Sequence, residues 1–209
     1  MGAGERRQQL RDALIDAAER VISEHGLQAL KARDLAAQVG CALGAIYTVF
    51  PDLDGLVLEV NRRTLLLCEA TIGEAAPTGG EAPLPADGDA GAAGELVRLA
   101  VAYLGFARVH AHRWRALFLH RLAEERPPPE WYLHEQGRLF RHIEQPLRDL
   151  RPDLPDEERA LLARSLFSAT HGLVSLGLDE KLMALPPDVL ESEVRLVVGA
   201  MARGLSDGA

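Results

Sequence analysis

LAAQVGCALGAIYTVF, residues 35–50, is the stretch that decides the fold. Two short helices that cross tightly need small and apolar residues at fixed offsets. Ala36 is small where a second helix must approach, and Gly40, four residues on, can take the left-handed backbone of a sharp turn. Leu35, Val39, Cys41, Ile46 and Val49 fall at the five positions that bury the small core of a helix-turn-helix. Pro51 drives Phe50 out of the helical region and ends the second helix at Val49. An ordinary helical hairpin accommodates residues 35–49 equally well.

Helical periodicity extends in both directions. Glu5 to His25 carries Leu10, Leu14, Ala17, Ala18, Val21 and Ile22 at helical spacing, and Gly26 stops it. Asp52 caps a long helix whose stripe is Leu56, Val60 and Leu67, with Val57, Thr64 and Cys68 beside it. Further helices are expected over about 95–110, 112–122 and 130–150, then from Pro155 to about Gly177 and from Pro187 to about Arg203. Residues 77–94, PTGGEAPLPADGDAGAAG, read as a flexible loop.

The chain has 209 residues, 47% hydrophobic and 26% charged, which is a globular composition. Only 5% are aromatic, and β-branched residues are outnumbered by Ala, Leu, Arg and Glu, so the fold class is all-α. No apolar run approaches the roughly 18 residues of a membrane span. MGAGERRQQL leads into a charged amphipathic stretch, so no secretory signal is expected. Cys41 and Cys68 lack metal or disulfide spacing, which suits a reducing cytoplasm. The net charge is −8, but residues 1–50 hold six basic and six acidic side chains, so the acidity lies beyond them. The first quarter can approach a polyanion. The rest would be repelled by one.

Residues 26–56, GLQALKARDLAAQVGCALGAIYTVFPDLDGL, resemble the DNA-binding region of the TetR family of transcriptional regulators. The helix ending at Gly26 and the Tyr47-x-x-Phe50-Pro51 signature carry the resemblance. The segment Ala169-Thr170-His171-Gly172 is similar to a Trp-His-Gly motif of one C-terminal subgroup, with Thr170 in place of the tryptophan. The resemblance implies a three-helix DNA-binding domain over residues 1–51 and a helical regulatory domain over 52–209. It makes Leu43–Val49 the recognition helix, with Ala42, Leu43, Gly44, Ala45 and Thr48 facing bases and backbone. Tyr47 matches the family tyrosine that donates to a phosphate, although a packed aromatic is its plainer reading. Lys31 and Arg33 stand at the start of the second helix, Arg33 at a common basic position. Leu53 departs from the family, which usually places a lysine two residues after the Phe-Pro pair.

In the regulatory half, Tyr103 and Phe106 share a helical face, as do Trp114 and Phe118. With Cys68, Phe140, Phe167 and His171 they mark where a pocket for a small apolar effector would lie, though each alone fits a core position as well. Ser165, Ser168, Ala169, Gly172 and Ser175 permit close helix approach, and Leu190, Val194, Val197 and Met201 form an apolar stripe. The resemblance implies a homodimer built on helices of about 156–177 and 187–203. Catalysis is not expected: His134-Glu135-Gln136-Gly137-Arg138 begins like HExxH, but Arg138 replaces the second histidine ligand. No cofactor or metal motif is present. The reading is a cytoplasmic, ligand-responsive repressor of a double-stranded DNA operator. Its alternative is a helical small-molecule-binding module of the same fold with weak or no DNA binding.

Overall fold

The computed structural model describes residues 2–75, 91–122, 127–179 and 185–206. Among these the regular elements are helices: α1 Ala3–His25, α2 Ala32–Val39, α3 Leu43–Val49, α4 Leu53–Ala75, α5 Ala92–Val109, α6 Ala111–Leu119, α7 Glu130–Leu150, α8 Asp156–Gly177 and α9 Pro187–Ser206, with a single 3₁₀ turn at Leu27–Ala29. The chain is all-α, as its composition and periodicity require. α1 begins two residues earlier than Glu5 because the Glu5 carboxylate accepts the Gly2 N–H at 2.7 Å and so caps the first turn. α5 opens at Ala92, inside the stretch read as a loop; the rest of that stretch, up to residue 90, lies outside the described residues.

Two compact units emerge. The first joins the chain up to Leu67 with His110–Glu135. Leu14, Ala17, Ala18 and Ile22 of α1, Leu35 and Ala36 of α2, Ile46 of α3, Phe50, Leu56 and Val60 of α4, and Ala116 of α6 share one buried core. Burial of each large aliphatic side chain contributes about 1.5–3 kcal/mol, so this core, more than helix propensity, holds the eight-residue α2 and seven-residue α3. The boundary expected at residue 51 does not coincide with this packing unit, which takes in the first turns of α4 and all of α6.

The second unit combines Cys68–Val109 with residues from Gln136 onward. α5 buries Leu96, Val97, Leu99, Ala100, Leu104 and Ala107, and α9 buries Leu190, Val194, Val198 and Ala202. The buried row on α9 advances by four residues at each step. The stripe expected from sequence, Leu190-Val194-Val197-Met201, is therefore divided: Leu190 and Val194 face inward, Met201 is half-buried, and Val197 faces out. α8 meets α9 at Gly177, where a Cβ would stand 2.4 Å from Leu190 Cδ1. Because Leu190 is fully buried, it has nowhere to retreat. Gly177→Val is expected to cost about 1–3 kcal/mol, read as a lower urea midpoint with unchanged m.

Candidate functional site

The α2–α3 turn is fixed by backbone geometry. Gly40 adopts the left-handed conformation at φ 74° and ψ 34°, which only glycine takes without steric cost. This lets the Cys41 N–H reach back to the Ala36 carbonyl at 2.9 Å, closing the end of α2. Ala42 then holds extended backbone at φ −69° and ψ 145° before α3 begins. Ile46 is fully buried and Val49 half-buried, so they pin α3 to the core. The opposite face is presented outward: Ala42, Leu43, Gly44, Tyr47 and Thr48 are exposed, Tyr47 at 49%, while Ala45 is half-buried. Thr48 donates its hydroxyl to the Ala45 carbonyl at 2.7 Å and so offers its methyl and an acceptor. Lys31 and Arg33, at the start of α2, are exposed as well.

Elsewhere in the same unit, distant parts of the sequence meet. The Asp52 carboxylate accepts the Gly55 N–H at 2.8 Å and caps α4. Phe50 is buried, with the Arg11 guanidinium 5.2 Å from its ring centroid, and Arg11 pairs with Glu59 at 2.5 Å. Arg63 binds Asp16 at 2.6 Å and Glu19 at 2.7 Å, and Arg113 binds Glu19 at 2.7 Å. Burial opposes the charge on Arg63, but its bonds to Glu19 and Asp16 hold its pKa above the usual value. Two carboxylates of α1 are thus neutralised by arginines from beyond residue 50, while Arg6, Arg7 and Arg20 of α1 stay exposed. Counted over the whole first unit, basic and acidic side chains stay nearly balanced, at twelve and thirteen. Sequence spacing carried no sign of these pairings.

Leu53 packs, half-buried, against this core. Leu53→Lys is therefore expected to lower stability by about 1 kcal/mol, because the lysine stem can cover the same surface only in part. The slope of log K against log salt for DNA binding should stay unchanged. A slope steeper by about 1.8 per dimer, with unaltered melting, would instead identify residue 53 as a vacant phosphate position.

Four of the aromatic candidates converge in the second unit. The Tyr103 hydroxyl lies 2.8 Å from His171 Nδ1. Phe167 meets Tyr103 edge-on at 5.4 Å, meets Phe140 at 5.4 Å, and stacks on the His171 ring at 5.7 Å. Burial lowers the His171 pKa, which favours the uncharged ring. Phe106 is buried in the same unit, and so is Cys68, whose thiol burial pushes up to about 12. Trp114 and Phe118 belong to the first unit, where they meet edge-on at 5.7 Å. Trp114 is buried, but Phe118 is 43% exposed and lies at the surface. Thr170, in the tryptophan position, is buried and donates to the Leu166 carbonyl at 2.9 Å. Arg138 pairs with Glu69 at 2.8 Å on the rim of an open polar groove of about 310 Å³ lined also by Glu95, Arg141, His142 and Gln145. Sequence patterning did not single out that groove.

Residues 14–60 match the family model described as bacterial regulatory proteins, tetR family. Residues 96–201, half of the chain, match the tetracyclin repressor-like C-terminal domain. The chain belongs to the TetR family. It is a ligand-responsive, DNA-binding transcriptional regulator. Solved structures share the fold at low identity. A protein of unknown function from Rhodococcus sp. RHA1 is 20% identical with a TM-score of 0.69, covering 94% of this chain and 95% of that one. A TetR transcriptional regulator from Rhodococcus sp. RHA1 is 16% identical with a TM-score of 0.59, covering 93% and 96%. The TetR-family regulator PfmR from Thermus thermophilus is 16% identical with a TM-score of 0.57, covering 91% and 97%. No curated protein matches the sequence.

This TetR-family chain leaves apolar surface uncovered on its last two helices. Leu161 at 60% and Leu176 at 51% are exposed on α8, as are Leu196 at 59% and Val197 at 37% on α9. Ser165, Ser168 and Ala169 are exposed on α8 as well, while Gly172 and Ser175 are half-buried. No described helix is long and apolar enough to cross a membrane.

Proposed function

We propose that the protein is a repressor that grips a palindromic operator as a homodimer and releases it when a small, largely apolar effector fills each subunit. The observation that carries the reading is α3, held by fully buried Ile46 and presenting Leu43, Gly44, Tyr47 and Thr48 to solvent. Its first turn enters the major groove, Tyr47 donates to a phosphate, and Lys31 and Arg33 neutralise the backbone beside it. Alanine, leucine and glycine cannot make bidentate hydrogen bonds to bases. Specificity then comes from methyl contacts and DNA shape.

A single α3 reads half a site, so a palindrome needs two subunits. The uncovered apolar surface of α8 and α9 supports pairing through those helices. The effector works by differential affinity: it prefers a dimer whose α3 helices are not about one DNA turn apart, and so draws the population away from DNA. α4 is the lever. His120 Nε2, just past α6, lies 3.0 Å from Asp54 Oδ1 in the first turn of α4. A ligand that displaces α6 thereby pulls on the turn that follows α3.

Selection of bound DNA from a random pool tests this reading. The expected product is an inverted repeat with half-sites roughly 34–36 Å apart. A pool that gains no consensus would leave the chain as a ligand-binding module that keeps the fold without reading DNA.

A further inference from the structure

Four polar side chains are buried among the described residues: Asn61, Thr64, Arg159 and Thr170. Thr64 donates to the Val60 carbonyl at 3.0 Å and accepts Arg113 Nε–H at 3.1 Å. Thr170 donates to the Leu166 carbonyl. Arg159 reaches the Asp156 carboxylate and the Leu154 carbonyl. Asn61 differs from all three. It is 0% exposed, and neither its Oδ1 nor its Nδ2 has a hydrogen-bond partner. An amide sealed from water with both ends unmet is an expense that folded proteins rarely retain without a use.

The contacts of α4 show where this amide points. Glu59 and Arg63 turn to α1, through Arg11 and through Asp16 and Glu19. Thr64 turns to α6 through Arg113, and Arg62 turns to the first turns of α7, through Glu135 at 3.6 Å and the Trp131 ring at 6.0 Å. At 3.6 residues per turn, Asn61 falls between the Thr64 and Arg62 faces, on the side away from α1. Leu58 and Leu65, one turn before and after it on the same face, are buried. Asn61 therefore lies, closely packed, on the side of α4 between the Thr64 face turned to α6 and the Arg62 face turned to the first turn of α7; Trp114 and Tyr132 are the buried aromatics of those two segments.

We propose that Asn61 is the polar anchor of the effector site, and that the effector is a neutral, mainly apolar molecule carrying a hydrogen-bond donor beside an acceptor, as in a primary amide, a lactam or a urea. The inference rests on the effector-released reading above and gives the effector its chemical class. An amide edge answers both atoms of Asn61 at once. A hydrocarbon leaves them unmet, and a lone carboxylate brings a charge that an amide cannot balance. The competing occupant is a buried water, which needs no ligand.

Benzamide and its apolar counterpart toluene discriminate, used on the full-length protein without DNA. The side-chain NH₂ resonance of Asn61 is assigned by its loss in Asn61→Leu. Benzamide is expected to shift that resonance and to bind about tenfold or more tighter than toluene, and Asn61→Leu should abolish the preference. Asn61→Leu should also melt higher than the parent protein, since it removes an unmet amide without opening a cavity. Asn61→Ala supplies the same affinity comparison should the leucine disturb packing. Equal affinities in the parent protein, an unmoved resonance, or a preference that survives both substitutions would overturn the proposal. Because these measurements contain no DNA, an intact benzamide preference without operator release would count against the repressor reading alone.

Discussion

Tyr47→Phe is expected to weaken operator binding by at least two orders of magnitude while leaving the melting temperature unchanged. The substitution removes one hydroxyl and nothing else. Tyr47 is 49% exposed on α3 and its hydroxyl has no hydrogen bond among the described residues, so the fold does not depend on it. A hydrogen bond to a charged group contributes about 1.5–3 kcal/mol. The proposed dimer would make the contact twice, for roughly 3–6 kcal/mol, or about 10²–10⁴ in affinity. Fluorescence anisotropy with the selected operator at fixed salt, beside a thermal melt, reads both quantities. If Tyr47 is instead a packing aromatic, phenylalanine would preserve affinity, and only a truncation such as Tyr47→Ala would show an effect, as lowered melting.

The parts of this structure legible in the sequence are those written by local chemistry. α3 has the bounds that Gly40 and Pro51 dictate, because a left-handed turn and a proline act within a few residues of themselves. The start of α8 was legible for the same reason, from Pro155 and the carboxylates of Asp156, Glu157 and Glu158 in its first turn. Orientation was harder. Periodicity assigned α9 an apolar face but could not choose between a row advancing 4, 3, 4 and one advancing by four throughout, and packing against its own unit took the second. α5 begins three residues before the expected 95, because Gly94, the last residue of the Gly- and Pro-rich stretch, is buried inside the helix.

The candidate site divides along the same line. The outward face of α3 was legible only through the family resemblance: of the residues it names, Ala42, Leu43, Gly44, Tyr47 and Thr48 are exposed, while Ala45 is half-buried. The long-range pairs could not, since Arg63 and Arg113 meet α1 across 44 and more residues of chain. Nor could the aromatic candidates be sorted: Tyr103, Phe140, Phe167 and His171 converge, while Phe118 is at the surface. Asn61 illustrates the deepest limit. Its residue type is ordinary on an exposed helix, and only full burial with no partner gives it meaning.

Val197→Glu is expected to convert the proposed α8–α9 dimer into a folded monomer. In the isolated subunit Val197 is 37% exposed, so a carboxylate there can remain in water and the fold survives. In a dimer built on α8 and α9 the same carboxylate would be sealed beside the apolar surface of Leu161, Leu176 and Leu196. An uncompensated buried charge costs about 3–5 kcal/mol, and twofold symmetry introduces it in both copies. The resulting loss, roughly 6–10 kcal/mol, raises the dissociation constant by four orders of magnitude or more. Light scattering after size exclusion would read the mass, and circular dichroism the retained helix. Val194→Glu, on the adjoining inward face and 0% exposed, is the control that fixes the interpretation, because it should unfold the subunit itself. A Val197→Glu protein that remains a dimer would move the interface off this face of α9, and operator binding by a confirmed monomer would remove the need for a palindrome.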